Sequence, residues 1–173
     1  MGRLAVLNAA HPAIWLEAMR NHPVQKRKSS YVRFFQIPYL PEFLIGLNQS
    51  RALSKGFHDS VRLGAFTESY MHLYREAWAQ PGALTAMLNY YRAVLRKQVR
   101  PQEIACPTLV IWGKRDAYAV PDLAEASLRL CTEGRIAWLD NATHWVQHDE
   151  PEQVLDLLLA FLRPCTRGES PVP

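Results

Sequence analysis

Three short apolar runs, two of them separated by a long helical excursion, constrain this chain more than any other feature. Leu4-Ala5-Val6-Leu7-Asn8 opens it, Cys106-Pro107-Thr108-Leu109-Val110-Ile111-Trp112-Gly113 follows much later, and Arg135-Ile136-Ala137-Trp138-Leu139 comes third. Each is too short for a helix and has strand composition. The first, compact and continuously apolar, suits a strand buried on both faces of a parallel sheet. Helical pattern lies between the second and third runs and after the third, so the expected architecture is α/β, with parallel strands and right-handed crossovers.

The rest of the chain is read around these runs. Ala9-Ala10-His11-Pro12 leaves the sheet, and a first helix opens with Ile14, Glu17 and Ala18. The aromatic stretch Ser29 to Phe35 ends at a break marked by Pro38 and Pro41. Thr67 is placed as the N-cap of a helix through Tyr70, Leu73, Tyr74 and Ala77, stopped by Pro81-Gly82. Leu84 to Arg96 and Asp122 to Leu130 read as further helices, with Asp122 as a cap. A last helix starts at Pro151 and carries the stripe Val154, Leu157, Leu158 and Phe161 until Pro164. The organisation expected is residues 1–12 as a strand entering a lid, 13–100 as a helical cap or lid, 101–164 as the C-terminal part of a core, and 165–173 as a disordered tail. The excursion of roughly 90 residues far exceeds an ordinary βα connection, so it must pack on itself. Three parallel strands also make a poor free-standing sheet, which points to a missing N-terminal half of the core and an exposed apolar sheet edge.

Composition narrows the function classes. The 173 residues are 49% apolar and 21% charged, which is globular. The net charge of +4 is carried by small clusters such as Lys26-Arg27-Lys28, mixed with acids and without a binding motif, so nucleic acid is not expected as a partner. No run of about 18 apolar residues is present, which gives no membrane span. Cys106, Cys131 and Cys165 are odd in number and lack metal or redox spacing, so reduced thiols and a cytoplasmic location are expected. No cofactor or metal is implied. His148 lies four residues after His144, but a two-histidine site would need both on one helix, and Pro151 places the helix later.

Two groups stand where open α/β sheets place their chemistry, in loops just past strand ends. Asp116 follows Trp112-Gly113-Lys114-Arg115, and His144 follows Asn141-Ala142-Thr143. A carboxylate that orients an imidazole is the acid–histidine part of a triad, and the order nucleophile, acid, histidine is that of α/β-hydrolases. Plainer readings are a turn aspartate and a structural histidine. His11, His22 and His72 read as structural or solvent-facing, and Trp112 and Trp145 as packing residues near the site. No glycine-flanked nucleophile turn occurs in the chain.

With these residues in view, the chain from Leu4 to about Pro164 resembles the C-terminal portion of the α/β-hydrolase epoxide hydrolases, the group that includes animal epoxide hydrolases 3 and 4. The resemblance rests on five segments in order: Leu7-Asn8-Ala9-Ala10-His11-Pro12; Ser30-Tyr31-Val32-Arg33-Phe34-Phe35-Gln36-Ile37-Pro38; Gln80-Pro81-Gly82-Ala83-Leu84 with Asn89-Tyr90-Tyr91-Arg92; Pro107 to Gly113 with Asp116; and His144-Trp145 with Gln147 and Asp149-Glu150-Pro151. The resemblance implies a small apolar epoxide-type substrate and hydrolysis to a vicinal diol through an alkyl-enzyme ester. An aspartate nucleophile would open the epoxide while Tyr31 and Tyr91 donate hydrogen bonds to its oxygen. His144 would activate the water that cleaves the ester, and Asp116 would orient the imidazole. Tyr90 competes with Tyr91 for its place in the register.

The family's His-Gly-x-Pro oxyanion segment and Gly-x-Asp-x-Gly nucleophile turn are both absent, so the chain alone is expected to be inactive. Thr143 stands where many relatives have glycine, a change expected to reshape only the loop backbone. The neighbouring enzyme reading is a haloalkane or haloacid dehalogenase, which would stabilise halide with a Trp or another N–H donor. The tyrosine pair favours the epoxide. A truncated product that binds a partner without catalysis is the reading from a different class.

Overall fold

The structure is a computed structural model that describes residues 2–47 and 51–163. The expected end at Pro164 and the tail beyond it lie outside the described residues. Three parallel strands, β1 (Leu4–Leu7), β2 (Thr108–Gly113) and β3 (Gly134–Leu139), form one sheet in the order β1-β2-β3. Val6 sits opposite Val110, and Val110 opposite Ile136, so all three strands end at the same side.

β2 is buried at every residue because it lies between two strands and both its faces are covered. Its side chains alternate. Leu109 and Ile111 join Leu139, Val154 and Phe161 on one face, which α10 (Pro151–Leu162) covers. Val110 and Trp112 join Leu123 and Ala124 of α8 (Asp122–Leu128) on the other, with Ile14 and Trp15 of α1 (Pro12–Asn21). Each such aliphatic side chain removed from water stabilises the fold by about 1.5–3 kcal/mol. β1 departs from expectation. Its residues are half-buried rather than buried, since among the described residues it is the edge strand of the sheet.

The excursion between β1 and β2 is helical: α1, α2 (Pro23–Lys28), α3 (Tyr31–Phe34), α4 (Leu40–Gly46), α5 (Arg51–Ser60), α6 (Glu68–Trp78) and α7 (Ala83–Arg96). It has its own core of Phe66, Met71 and Trp78. Thr67 caps α6 by accepting from the Tyr70 amide. His11 and His22 cap α1 and α2 in the same way, which accounts for both histidines structurally. Two local expectations are corrected. Pro41 does not break a helix but occupies the first turn of α4, where its missing N–H costs nothing. Asp122 is the first residue of α8 and not its cap, a position held by Pro121. Its carboxylate lies 3.7 Å from His22 Nε2. Among the described residues, no helix is long and apolar enough to cross a membrane.

Candidate active site

The loops after β2 and β3 meet because Gly113 lets them. A Cβ at that position would come within 2.2 Å of the Thr143 carbonyl oxygen, so only glycine allows the end of β2 to pass under the histidine loop. The Arg115 amide donates to the Ala142 carbonyl at 3.0 Å and seals the approach. Asp116 and His144, 28 residues apart, are thereby brought to 2.8 Å between Oδ2 and Nδ1.

Asp116 is fully engaged. Its Oδ1 accepts from the Tyr118 amide at 2.6 Å and from the Ala119 amide at 2.9 Å. Its Oδ2 accepts from Asn8 Nδ2 at 2.7 Å as well as facing His144. Burial works to raise its pKa. Hydrogen bonding to His144 and its charge, followed by bonds from Asn8 and the Tyr118 amide, outweigh burial and hold the carboxyl below its ordinary value. A buried carboxylate that stays ionised can orient an imidazole and stabilise its protonated form. With Nδ1 taken, Nε2 is the nitrogen of His144 left for proton transfer.

Two helices present the tyrosines to the same place. Tyr31 opens α3 and Tyr91 lies in α7, with ring centroids 5.8 Å apart and planes at 82°. Burial, reinforced by Tyr91, Tyr118 and Asp116, pushes the Tyr31 phenol far above the ordinary value. Burial raises Tyr91 as well, against an opposing effect of the neighbouring Tyr31 phenol. Both therefore remain neutral donors across the physiological range. Tyr90 is 75% exposed and lies outside the cavity wall, so of the two register candidates Tyr91 is the one beside Tyr31.

Tyr31, Tyr91 and His144 line one cavity of about 510 Å³, with Phe34, Phe35, Phe57, Leu84, Met87, Tyr118 and Trp145 among the other walls. The size is that of a small-molecule site. Trp145 does more than pack nearby: it forms part of the wall, stacked on Phe57 at 4.3 Å. Its indole N–H is committed to Ser60 Oγ at 3.0 Å. Trp112 is buried away from this wall. His148 stands on the one-turn helix α9 (Val146–Asp149), bonds Tyr74 Oη at 3.0 Å, and lies 4.2 Å from the Phe66 ring.

Sequence reasoning missed several residues that hold this site. Asn8, in a left-handed conformation (φ 40°) just after β1, accepts from the Gly113 amide at 2.8 Å while donating to Asp116. Gln25 is fully buried, donates to the Tyr118 carbonyl and accepts from the Val120 amide, gripping the aspartate loop from α2. Thr143 does not merely reshape backbone. Its amide and hydroxyl both donate to Asp149 Oδ2 at 2.6 Å. Asp149 Oδ1 accepts in turn from the Arg62 amide at 3.0 Å, which ties the histidine loop to the helical excursion.

The chain is 37% identical over 163 residues to the AB hydrolase superfamily protein YfhM of Bacillus subtilis, covering 93% of this chain and 57% of that one. It is 34% identical over 172 residues to human epoxide hydrolase 4, covering 95% of this chain and 48% of that protein. The chain adopts part of the α/β-hydrolase fold and is similar in sequence to epoxide hydrolases. A solved structure described as an epoxide hydrolase of the α/β-hydrolase superfamily from hot-environment metagenomes superposes with a TM-score of 0.77 at 27% identity, over 93% of this chain and 59% of that one. No protein-family model matches. The chain thus spans about half the length of the curated relatives it matches, and corresponds to their C-terminal part.

Proposed function

We propose that this segment carries the oxygen-binding and general-base half of an epoxide hydrolase site. The observation that carries the reading is the shared cavity lined by two half-buried neutral phenols and by a histidine backed by an ionised aspartate. An epoxide oxygen seated between Tyr31 and Tyr91 would accept from both phenols, which stabilises the alkoxide that develops as the ring opens. A carboxylate attacking the epoxide carbon leaves an alkyl ester. His144 Nε2 then takes a proton from water as that water attacks the ester carbonyl, and Asp116 stabilises the imidazolium. The ester is cleaved, the proton taken by His144 passes on to the oxygen released by ring opening, and the diol leaves with the carboxylate and the neutral imidazole restored.

No carboxylate is among the described residues of the cavity wall. The reading therefore needs a carboxylate from outside the described residues, and without one the chain is expected not to turn over substrate. The wall is apolar apart from the phenols and the imidazole, which suits a small neutral epoxide. The commitment of the Trp145 indole N–H to Ser60 removes the obvious halide donor of the dehalogenase reading. The free thiols of Cys106 and Cys131 support a cytoplasmic location.

Styrene oxide hydrolysis provides the test. The isolated chain should be inactive. In a longer polypeptide that carries this segment and a nucleophile, His144→Gln should accumulate a covalent ester visible by mass spectrometry, and Tyr91→Phe should slow its formation more than its hydrolysis. Turnover by the isolated chain would sink the shared-site reading, and absence of any trapped ester would sink the role given to His144.

A further inference from the structure

Arg92 follows Tyr91 in α7, yet it is buried and its guanidinium points into backbone. Each of its five N–H groups has an acceptor. Nε donates to the Phe35 carbonyl at 2.8 Å and Nη2 to the Ile37 carbonyl at 3.0 Å. Nη1 and Nη2 hold the two oxygens of Glu42 at 2.6 and 3.0 Å, and Nη1 reaches Asn89 on its own helix at 3.1 Å. One side chain therefore joins α7 to the end of α3 and to the first turn of α4. The bidentate hold on Glu42 keeps that carboxyl below its ordinary value.

The Phe35 carbonyl is the informative acceptor. The ring of the same residue lies 5.3 Å from Tyr31 and 5.2 Å from Tyr91, edge-on to both. Phe35 is thus a wedge against the two phenols, and its backbone is held by the residue next to Tyr91. A second tie is much weaker: the Gln36 amide reaches the Tyr91 carbonyl only at 3.5 Å.

We infer that Arg92 is a positioning residue that sets the spacing of Tyr31 and Tyr91, so that one acceptor oxygen can take a hydrogen bond from each. The inference rests on the oxygen-binding role proposed for the pair and names the group that makes the pair bidentate. A planar five-donor group is required because the two carbonyls and the carboxylate lie in different directions around it. A lysine ammonium has three donors at one point and cannot span them.

The test uses the 173-residue chain with acetophenone, a neutral aryl ketone with one acceptor oxygen, read by its carbonyl stretch in infrared difference spectra. Bound to the wild-type chain, the band should fall well below its position in hexane, and Tyr31→Phe or Tyr91→Phe should each reverse part of that fall. Arg92→Met should reverse a comparable part and weaken binding roughly three- to tenfold, the loss of about one net hydrogen bond. Arg92→Lys should give an intermediate band, and it carries the test if Arg92→Met does not fold. A wild-type band position in a folded Arg92→Met or Arg92→Lys chain, with the tyrosine variants shifted, would overturn the positioning role alone. A wild-type chain that leaves the band unmoved would overturn the oxygen-binding reading and this inference with it.

Discussion

The site has two halves built in different ways. The Asp116–His144 half stands on loops at the ends of paired parallel strands, with Asp116 held by two loop amides and by Asn8 across the sheet. The Tyr31–Tyr91 half stands on two helices joined chiefly by side chains, with Arg92 and the Phe35 ring between them. Backbone anchoring leaves few ways for the dyad to move. Side-chain anchoring gives the phenols fewer backbone ties than the dyad has.

The largest effect should fall on the dyad. In a polypeptide that also supplies the nucleophile, Asp116→Asn should cut steady-state epoxide hydrolysis by about 10³- to 10⁴-fold, as for loss of the orienting carboxylate in other triads. Stability should report the same carboxyl through pH. The bonds to Asp116 outweigh burial and hold its folded pKa below an unfolded value of about 3.9. Its contribution is therefore present above pH ~4 and lost as pH falls through the folded value. Urea midpoints measured from neutral pH downward should show the wild-type advantage over Asp116→Asn shrinking below about pH 4. A gap independent of pH would mean that Asp116 acts by shape rather than by charge.

Asn8→Asp sharpens the contrast by placing a second carboxylate where Asn8 Nδ2 now meets Asp116 Oδ2. Two such groups cannot both ionise at that distance, so one folded pKa rises. The sign then inverts: stability is full below the unfolded carboxyl pKa and is lost as pH rises through the raised value. A loss of about 3 kcal/mol at neutral pH, recovered in acid, is expected from paired urea titrations. Equal losses at both pH values would show that Asn8 matters for its left-handed backbone and not for its bond to the acid.

The two halves also differed in how far they could be read from sequence. Asp116 and His144 were legible from physics, because short apolar runs mark strands and parallel sheets place chemistry past strand ends. Tyr31 and Tyr91 were not: aromatics at helical spacing usually mean core, and only the resemblance to epoxide hydrolases singled them out. The α/β class and strands β2 and β3 were likewise plain, whereas the half-burial of β1 depends on which strands flank it. Asn8, Gln25 and Arg92 left no local signal. Asn8 reads as a strand end, and neither it nor Arg92 shows its role until chain segments 108 and 57 residues away, respectively, arrive as partners. Long-range hydrogen bonds of this kind have no periodicity to betray them.

The smallest effect tests whether the halves are independent. Thr143 precedes His144, and its amide and hydroxyl both donate to Asp149, which also accepts from the Arg62 amide; the Arg62 side chain reaches the Asp149 carbonyl and, at 2.6 Å, Glu150. The histidine loop is thus fastened from the helical side as well as from the sheet. Thr143→Val preserves branching and volume, removes the hydroxyl donor and leaves the amide in place. It should cost about 1 kcal/mol in urea unfolding, the value of one hydrogen bond to a buried acceptor. A measurable loss would show that the dyad takes part of its placement from the helical side, so that movement of the α5–α6 connection reaches His144 through Asp149. A neutral substitution would mean that the amide and the sheet are sufficient, and that the dyad is set by backbone alone.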